Sequence, residues 1–164
     1  MINYSKYLSI ALLSCSLAVT AQPPPPRPIA VYANPAQGMI FGAFFQGVSG
    51  GTVILNPDGS RASTGSVILA NLGYPYSPAL FDIDANTGTV VTIMNGPDIT
   101  LTGSNGGSIT MHIGASSKGT SFTTTIVSPS QTPVWIGGTL TVGTPLANPS
   151  GSYSGTFSVT FIQQ

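Results

Sequence analysis

The chain has 164 residues, of which only 5% are charged, and its formal net charge at pH 7 is zero. That length fits a single domain, and the sequence contains no basic stretch that could neutralise the phosphates of a nucleic acid. Glutamate is absent, and serine, threonine, glycine and asparagine supply most of the polarity. This composition is typical of exported all-β proteins and unusual in cytosolic enzymes.

The first 21 residues have the organisation of a secretory signal peptide. The opening MINYSK carries one lysine, the apolar YLSIALLSCSLAV is too short to span a bilayer, and VTA supplies a small residue for cleavage. We expect cleavage after Ala21, a mature chain that begins at Gln22, and a secreted, extracellular or cell-surface location reached through the periplasm. This cleavage removes Cys15, the only cysteine, so the mature protein has no disulfide.

A second interpretation takes LLSC as a lipobox, in which Cys15 is lipidated and the protein is a lipoprotein. Leu13 is bulkier than that motif prefers, and more apolar residues follow Cys15. The sequence therefore favours ordinary cleavage.

Residues 22–28, QPPPPRP, predict a stiff polyproline II spacer, because consecutive prolines fix φ and cannot donate to a sheet. A proline-motif ligand is the alternative, but one short run is a weak recognition signal. A single domain is predicted over residues 29–164.

From Ile29 onward, short apolar or alternating runs are separated by turn residues, and no segment keeps a helical period for three turns. This pattern predicts an all-β, immunoglobulin-like β-sandwich. The turn NPDGS, at residues 56–60, marks the clearest hairpin. The predicted strands cover residues 29–33, 39–45, 51–56, 61–70, 79–84, 89–94, 98–102, 108–113, 120–127, 134–142 and 151–162.

The last predicted strand alternates large apolar residues with hydroxyl residues almost to its end. Tyr153, Phe157, Val159 and Phe161 fall on one face of such a strand, and serines and threonines fall on the other. We expect the apolar set to cover one side of the sandwich core, in the layer that receives Val67, Leu69, Leu140 and Val142.

The segment DIDANTG, residues 82–88, spaces oxygen-bearing side chains two apart, as a calcium loop does. The glycine comes one position too late for an EF-hand, and the final glutamate of that motif is missing. We interpret the segment as a strand end followed by a turn, with Asp82 and Asp84 facing solvent and Phe81 and Ile83 facing the core.

His112 is the only histidine, and the alternation of SITMHI places it with Thr110 on the solvent face. A metal site would need further nitrogen or sulfur ligands, which the mature chain lacks. No G-x-S-x-G elbow is present, and the four aspartates are the only acidic side chains. The sequence therefore predicts no catalytic residue, no metal site and no cofactor, and a protein that is not an enzyme.

Trp135, the only tryptophan, alternates with Ile136, so that one of the two faces the core. The core is the commoner place for a lone tryptophan beside Gly-Gly, whereas an exposed indole would offer a stacking platform for a sugar. Tyr74 and Tyr76 add exposed aromatic residues that would line a shallow surface for a carbohydrate or another surface ligand.

Four stretches of the chain resemble, in order, the bacterial family catalogued as domain of unknown function 4402. They are QGMIFGAFFQGVSGGTVILNPDGSRASTGSVILA, PALFDIDANTGTVVTIMNGPDITLTGSNGGSITMHI, IGGTLTVG and GSYSGTFSVTFIQQ. The resemblance implies an exported immunoglobulin-like sandwich, similar in outline to spore coat protein U and to chaperone–usher pilins. It implies no catalytic residues. The proline run before the first strand departs from a simple pilin-type tail.

From these features we expect a non-catalytic structural or adhesive protein of the cell surface, with a pilus-like subunit as one form. The alternative is a monomeric binding module for glycans or envelope components. Its partner would be a protein or glycan at the cell surface, or a second copy joined by strand addition, with no membrane span in the mature chain. Because only three apolar residues alternate in residues 29–33, we expect this segment to pair within its own domain as an edge strand of a folded monomer.

Overall fold

The structure, a computed structural model, describes residues 27–164, and all the regular elements in that part of the chain are β-strands. The predicted signal peptide, its cleavage after Ala21, the lipidation alternative at Cys15 and most of the spacer lie outside the described residues. The strands are Ala30–Ala33 (β1), Phe44–Phe45 (β2), Gly51–Leu55 (β3), Arg61–Gly65 (β4), Ile68–Leu69 (β5), Ala79–Asp84 (β6), Val90–Asn95 (β7), Ile99–Gly103 (β8), Ser108–Ser116 (β9), Ser121–Thr123 (β10), Thr132–Val142 (β11), Tyr153–Ser154 (β12) and Val159–Gln163 (β13).

The larger sheet is organised around the long strand β11, and all its pairings are antiparallel. One edge of β11 pairs with β9, while the other is shared between β6, opposite its first half, and β3, opposite its second half. The sheet then extends from β6 to β1, from β3 to β4, and from β9 through β8 to β12. We call this layer the first sheet.

Two glycines of β11 lie at the junction between the stretch that pairs with β6 and the stretch that pairs with β3. A Cβ at Gly137 would lie 2.2 Å from the carbonyl oxygen of Leu55, the last residue of β3. A Cβ at Gly138 would lie 2.6 Å from the sulfur of Met39, on the opposite face of the sheet. Close packing against main chain therefore requires glycine at position 137, whereas at position 138 the Met39 side chain would have to move.

The second layer packs on one face of the first sheet and has two separate parts. Strand β7 pairs with β10 on one edge and β13 on the other, and β2 pairs with β5 some distance away. Strands of both layers contribute to one buried core. The ring of Phe81, on β6, meets Phe157 edge-on at 6.5 Å and Phe161 at 5.4 Å between centroids. The predicted all-β sandwich is confirmed.

Two predicted strands were wrong in the same way, because each leaves the first sheet and joins the second layer. The predicted strand 61–70 divides into β4 and β5, and Gly65 turns the chain between them with a φ of 66°. The predicted strand 151–162 divides into β12, paired with β8, and β13, paired with β7. Alternation at period two continues across both crossings, so the pattern alone did not reveal them.

The predicted strand 39–45 is also shorter than expected. It consists of an isolated bridge between Ile40 and Ser77 and the two residues of β2. Gly42, with a φ of 70°, interrupts the extended backbone. The Arg61 side chain bonds the carbonyl oxygens on either side of this glycine, at 2.6 Å from Phe41 and 3.1 Å from Ala43.

The predicted strand 120–127 was too long, because the chain pairs with β7 only over Ser121–Thr123. The other predicted strands are confirmed, with small changes at their ends. Residues 56–60 form the predicted hairpin turn between β3 and β4, in which the Asn56 N–H donates to the Ser60 carbonyl oxygen at 2.9 Å. Segment 29–33 pairs with β6 alone, which confirms it as an edge strand of its own domain.

The core follows the predicted pattern. Val67, Leu140 and Val142 are buried, and Leu69 packs against them. Along the closing segment, Tyr153 and Phe157 are half-buried while the serines and threonines between them are exposed. No helix in residues 27–164 is long and apolar enough to cross a membrane.

The outer face of the first sheet explains how the chain remains polar with so few charges. Threonines occupy directly opposite positions on five successive strands, and the first two share a hydroxyl–hydroxyl hydrogen bond of 2.7 Å. Cross-strand threonine pairs of this kind are favourable on a solvated sheet face. The row consists of Thr64, Thr52, Thr141, Thr110 and Thr100.

Candidate functional site

A groove of about 1090 Å³ lies beside β2, over the inner face of the first sheet. Its walls are residues 38–46, which include β2, and residues 149–157, which include β12. Its floor is the inner face of the first sheet, at four side chains that are at most 7% exposed: Leu101, Ile109, Met111 and Leu140. The groove therefore lies where a further strand of the second layer would cover the core.

The second layer has a free strand edge at β13, which follows the wall residues 149–157 in the chain. Hydrogen bonds from Gly96 to Ser158 and from Gln164 to Val90 show that even-numbered residues of β13 face β7. The main-chain groups of Val159 and Phe161 therefore point away from β7. Among residues 27–164, no strand pairs with this edge.

The opposite wall presents a free edge as well. The Ala70 N–H donates to the Ala43 carbonyl oxygen, so Ala43 and Phe45 direct their main-chain groups toward β5. Phe44, between them, directs its N–H and C=O toward the groove. Its side chain is half-buried against the core, whereas the side chain of Phe45 points outward and is 57% exposed.

The groove is apolar and uncharged. None of its lining residues, all within the described part of the chain, carries a charge. Met39 and Phe44 on one wall and Tyr153 and Phe157 on the other are only partly buried against the core. Apolar surface of this kind is costly to leave in water, so a covering segment would be stabilised by burial.

Arg61 fastens one wall of the groove to the first sheet. Besides bonding Phe41 and Ala43, its guanidinium donates to the Ala70 carbonyl oxygen at 3.3 Å and lies 4.4 Å from the centre of the Tyr76 ring. One guanidinium thus donates hydrogen bonds to three main-chain carbonyl oxygens, those of Phe41, Ala43 and Ala70.

A second depression, of about 770 Å³, lies on the outer face of the first sheet beside Trp135. Of the two orientations that the sequence left open for Trp135, the structure has the outward one, because Ile136 is completely buried and its neighbour must face outward. The half-buried indole shares this depression with the hairpin turn at Asn56–Gly59 and with Ser117.

Tyr74 and Tyr76 are exposed, as predicted, but they do not join Trp135. Tyr74 is 67% exposed and lines the groove, and Tyr76 is covered on one side by Arg61. The aromatic residues considered in the sequence therefore belong to two separate surfaces.

Asp84 was predicted to face solvent, and this prediction is wrong. It is only 5% exposed, because Arg27 covers it and bonds its Oδ2 at 2.9 Å, while its Oδ1 is buried without a hydrogen-bond partner among the described residues. Arg27 also bonds the hydroxyl of Ser128. The last residues of the predicted spacer thus lie against the domain.

His112 is exposed, as predicted, and its Nδ1 lies 2.6 Å from Oδ1 of Asp98. The sequence analysis missed this pair, because Asp98 lies in the turn before β8 and reaches β9 only through strand pairing. Within the described residues the other ring nitrogen, Nε2, has no hydrogen-bond partner. A nucleophile is therefore not held in place beside this histidine.

Residues 27–164 contain no group of three or more histidine, cysteine or acidic side chains placed to hold a metal ion. The calcium interpretation of residues 82–88 gains no support from this geometry, since Asp84 is paired with Arg27.

The family model described as "Domain of unknown function (DUF4402)" matches residues 31–162. The chain belongs to this family. Comparisons with curated proteins and with solved structures found no match. The match spans the whole sandwich, from β1 to β13, and so includes both walls and the floor of the groove.

Proposed function

We propose that the protein is a non-catalytic structural or adhesive subunit of the cell surface that accepts an extended strand from another polypeptide in the groove. The observation that carries this proposal is a groove over the inner face of the first sheet, with the free main-chain edge of β2 in one wall and the free edge of β13 directly after the other. Strand addition satisfies such edges with hydrogen bonds and fills the floor with alternate side chains.

The lining of the groove specifies the chemistry of the incoming segment. Because the lining is uncharged, the side chains that face the floor must be apolar or small, and their alternation must have a period of two. A charged side chain at a floor position would be desolvated without a partner, which disfavours it.

The chain's own amino-terminal segment is a poor donor, so the incoming strand belongs to a different polypeptide. β1 already pairs with β6, and Ile29 donates its N–H to the Gln163 side chain at 3.1 Å. The prolines of residues 22–28 cannot supply N–H groups to a second edge. The isolated protein is accordingly a folded monomer with a free groove.

The neighbouring residues Phe44 and Phe45 allow a matched test in the cells that produce the protein. A photo-reactive benzoyl-phenylalanine replaces either residue, and irradiated surface extracts are mapped by mass spectrometry. Both residues line the groove, but the Phe44 side chain is half-buried against the core, whereas the Phe45 side chain is 57% exposed. We expect position 44 to cross-link in higher yield than position 45 to one segment of another polypeptide with alternating apolar residues.

Three outcomes contradict parts of this proposal. Cross-links at position 44 that stay within the chain would rule out an incoming strand. Equal cross-linking from both positions would indicate contacts of the outer surface, and a cross-link to a second copy would show that the chain polymerises with itself.

A second candidate function is a binding module for glycans. It is favoured by the outward position of Trp135 beside a depression, which is a different surface from the groove.

A further inference from the structure

We propose that the depression beside Trp135 binds a neutral sugar ring. This inference rests on the second candidate function and is independent of the groove. The site combines an outward aromatic face with oxygen acceptors on the adjoining hairpin turn, and each part is held in place by identifiable contacts.

The indole is fixed by the strand that carries it. Ile136 is completely buried, so Trp135 is held on the outer face of β11, and its main-chain N–H donates to the hydroxyl of Ser117 at 3.0 Å. The half-buried ring keeps part of its surface in water. An aromatic face of this kind packs favourably against the C–H groups of a pyranose ring.

Gly137 brings the polar wall of the depression close to the indole. A Cβ at this position would lie 2.2 Å from the carbonyl oxygen of Leu55, so only glycine allows the turn between β3 and β4 to approach β11. The turn then presents Asn56 and Asp58 beside the indole.

The hairpin turn supplies rigid acceptors for sugar hydroxyls. Asp58 Oδ1 accepts hydrogen bonds from the Ser60 N–H at 2.8 Å and the Ser60 hydroxyl at 2.6 Å. Asn56 donates through Nδ2 to the same hydroxyl at 2.9 Å. Asp58 Oδ2 and Asn56 Oδ1 remain as acceptors, and the Ser117 hydroxyl remains as a donor.

The charge of Asp58 sets the preference for neutral sugars. An aspartate carboxylate is ionised at neutral pH, and the Ser60 side-chain hydrogen bond, followed by the Ser60 main-chain hydrogen bond, lowers the pKa of Asp58 further below its ordinary value. A negative charge on the wall of the depression disfavours uronic and sialic acids.

Because Trp135 is the only tryptophan, its fluorescence reports on this site directly. The full chain is titrated with cellohexaose, mannohexaose and chitohexaose, and with oligogalacturonate as the acidic comparison. We expect a saturable change in emission with at least one neutral oligosaccharide and none with oligogalacturonate. Failure of all three neutral sugars at millimolar concentration would overturn the proposal.

Variants measured by calorimetry separate stacking from charge. Trp135→Leu should weaken binding by about tenfold or more, because stacking worth about 1.4 kcal/mol is lost. Asp58→Asn should allow oligogalacturonate to bind. Tyr74→Ala, a change at the groove, should leave the affinity for the neutral oligosaccharide unchanged. If Trp135→Leu does not fold, Asn56→Ala tests the same site. Unchanged affinity in a folded Trp135→Leu or Asn56→Ala variant would contradict the proposal, whatever the cross-linking at Phe44 shows.

Discussion

The first sheet and the second layer are built from the same kinds of residues, yet they differ in continuity. In the first sheet, antiparallel pairing runs without interruption from β1 to β12, with β3 and β4 added along β11. In the second layer, β2 lines one wall of a groove and β13 follows the other wall in the chain, and no strand of residues 27–164 pairs with the outer edge of either. One layer thus supplies a complete scaffold, and the other leaves space for one more strand.

The two layers also differ in how deeply their side chains are buried. The first sheet contributes nearly all the fully buried side chains, whereas the edges of the second layer contribute aromatic residues that are only half-buried. Natural sheets usually protect free edges, because such edges pair with other strands. The free edge of β2 lies beside these half-buried aromatic side chains, which is why we propose strand addition there.

Truncation after Ser150 should reduce stability the most, because it removes both β12 of the first sheet and β13 of the second layer. Four large apolar side chains are lost, and because they are only half-buried their burial is worth about 3–6 kcal/mol in total, half the value for full burial. That sum reaches the lower end of the stability of a typical domain, and the pairing of β13 with β7 is lost as well. We expect no cooperative unfolding transition in circular dichroism. A truncated protein that unfolds cooperatively would show that the first sheet is stable without the second layer.

The next effect compares two isoleucines of the first sheet. Ile136 is completely buried, whereas Ile109, 2% exposed, lies in the floor of the groove. Ile136→Ala should lower the free energy of unfolding by about 2–5 kcal/mol, and Ile109→Ala by less, because the groove walls can move toward the vacated space. Urea denaturation measures both. Equal losses would show that the groove is as rigidly packed as the rest of the core.

A third effect concerns the wall that Arg61 fastens. Arg61→Ala removes a charged donor from the carbonyl groups of Phe41, Ala43 and Ala70, and should cost about 1.5–3 kcal/mol. Arg61→Lys is the matched control and should recover only part of this, since an ammonium lacks the planar fork. In Arg61→Ala, amide hydrogen exchange should become faster in β5 and stay slow in β9 and β11. If exchange becomes faster in all three strands, the wall does not open independently of the first sheet.

Much of the first sheet was predictable from the sequence, and the groove was not. Strands β8 and β9 alternate apolar and polar residues and are separated by the turn residues between them, which fixes their place by local pattern. Segments 61–70 and 151–162 also alternate, but each changes sheets midway, and alternation is the same on either side of a crossing. One groove wall contains the second of these crossings, and the other wall contains β2, which pairs with β5 after the first, so no local pattern could indicate the groove.

The same distinction holds for the candidate side chains, because local alternation predicted the exposure of some of them and long-range contacts determine the placement of others. The exposure of His112, Tyr74 and Tyr76 followed from alternation and was predicted correctly. The burial of Asp84 depends on Arg27, 57 residues earlier in the chain, and the pairing of His112 with Asp98 depends on strand register. Trp135 faces outward because Ile136 is needed in the core, a choice that the sequence left open.

The smallest effect tests where the first sheet begins. Arg27 holds the buried carboxylate of Asp84, while Gln163 bonds the Arg27 carbonyl oxygen at 3.3 Å, so β1 is fastened to both layers. Arg27→Met should cost about 1 kcal/mol, since the guanidinium is half exposed and water replaces part of its contact. Lys118→Met, in an exposed turn, should cost nothing measurable. If Arg27→Met also leaves the free energy of unfolding in urea unchanged, the folded domain begins at β1, and Arg27 belongs to the spacer, as the sequence indicated.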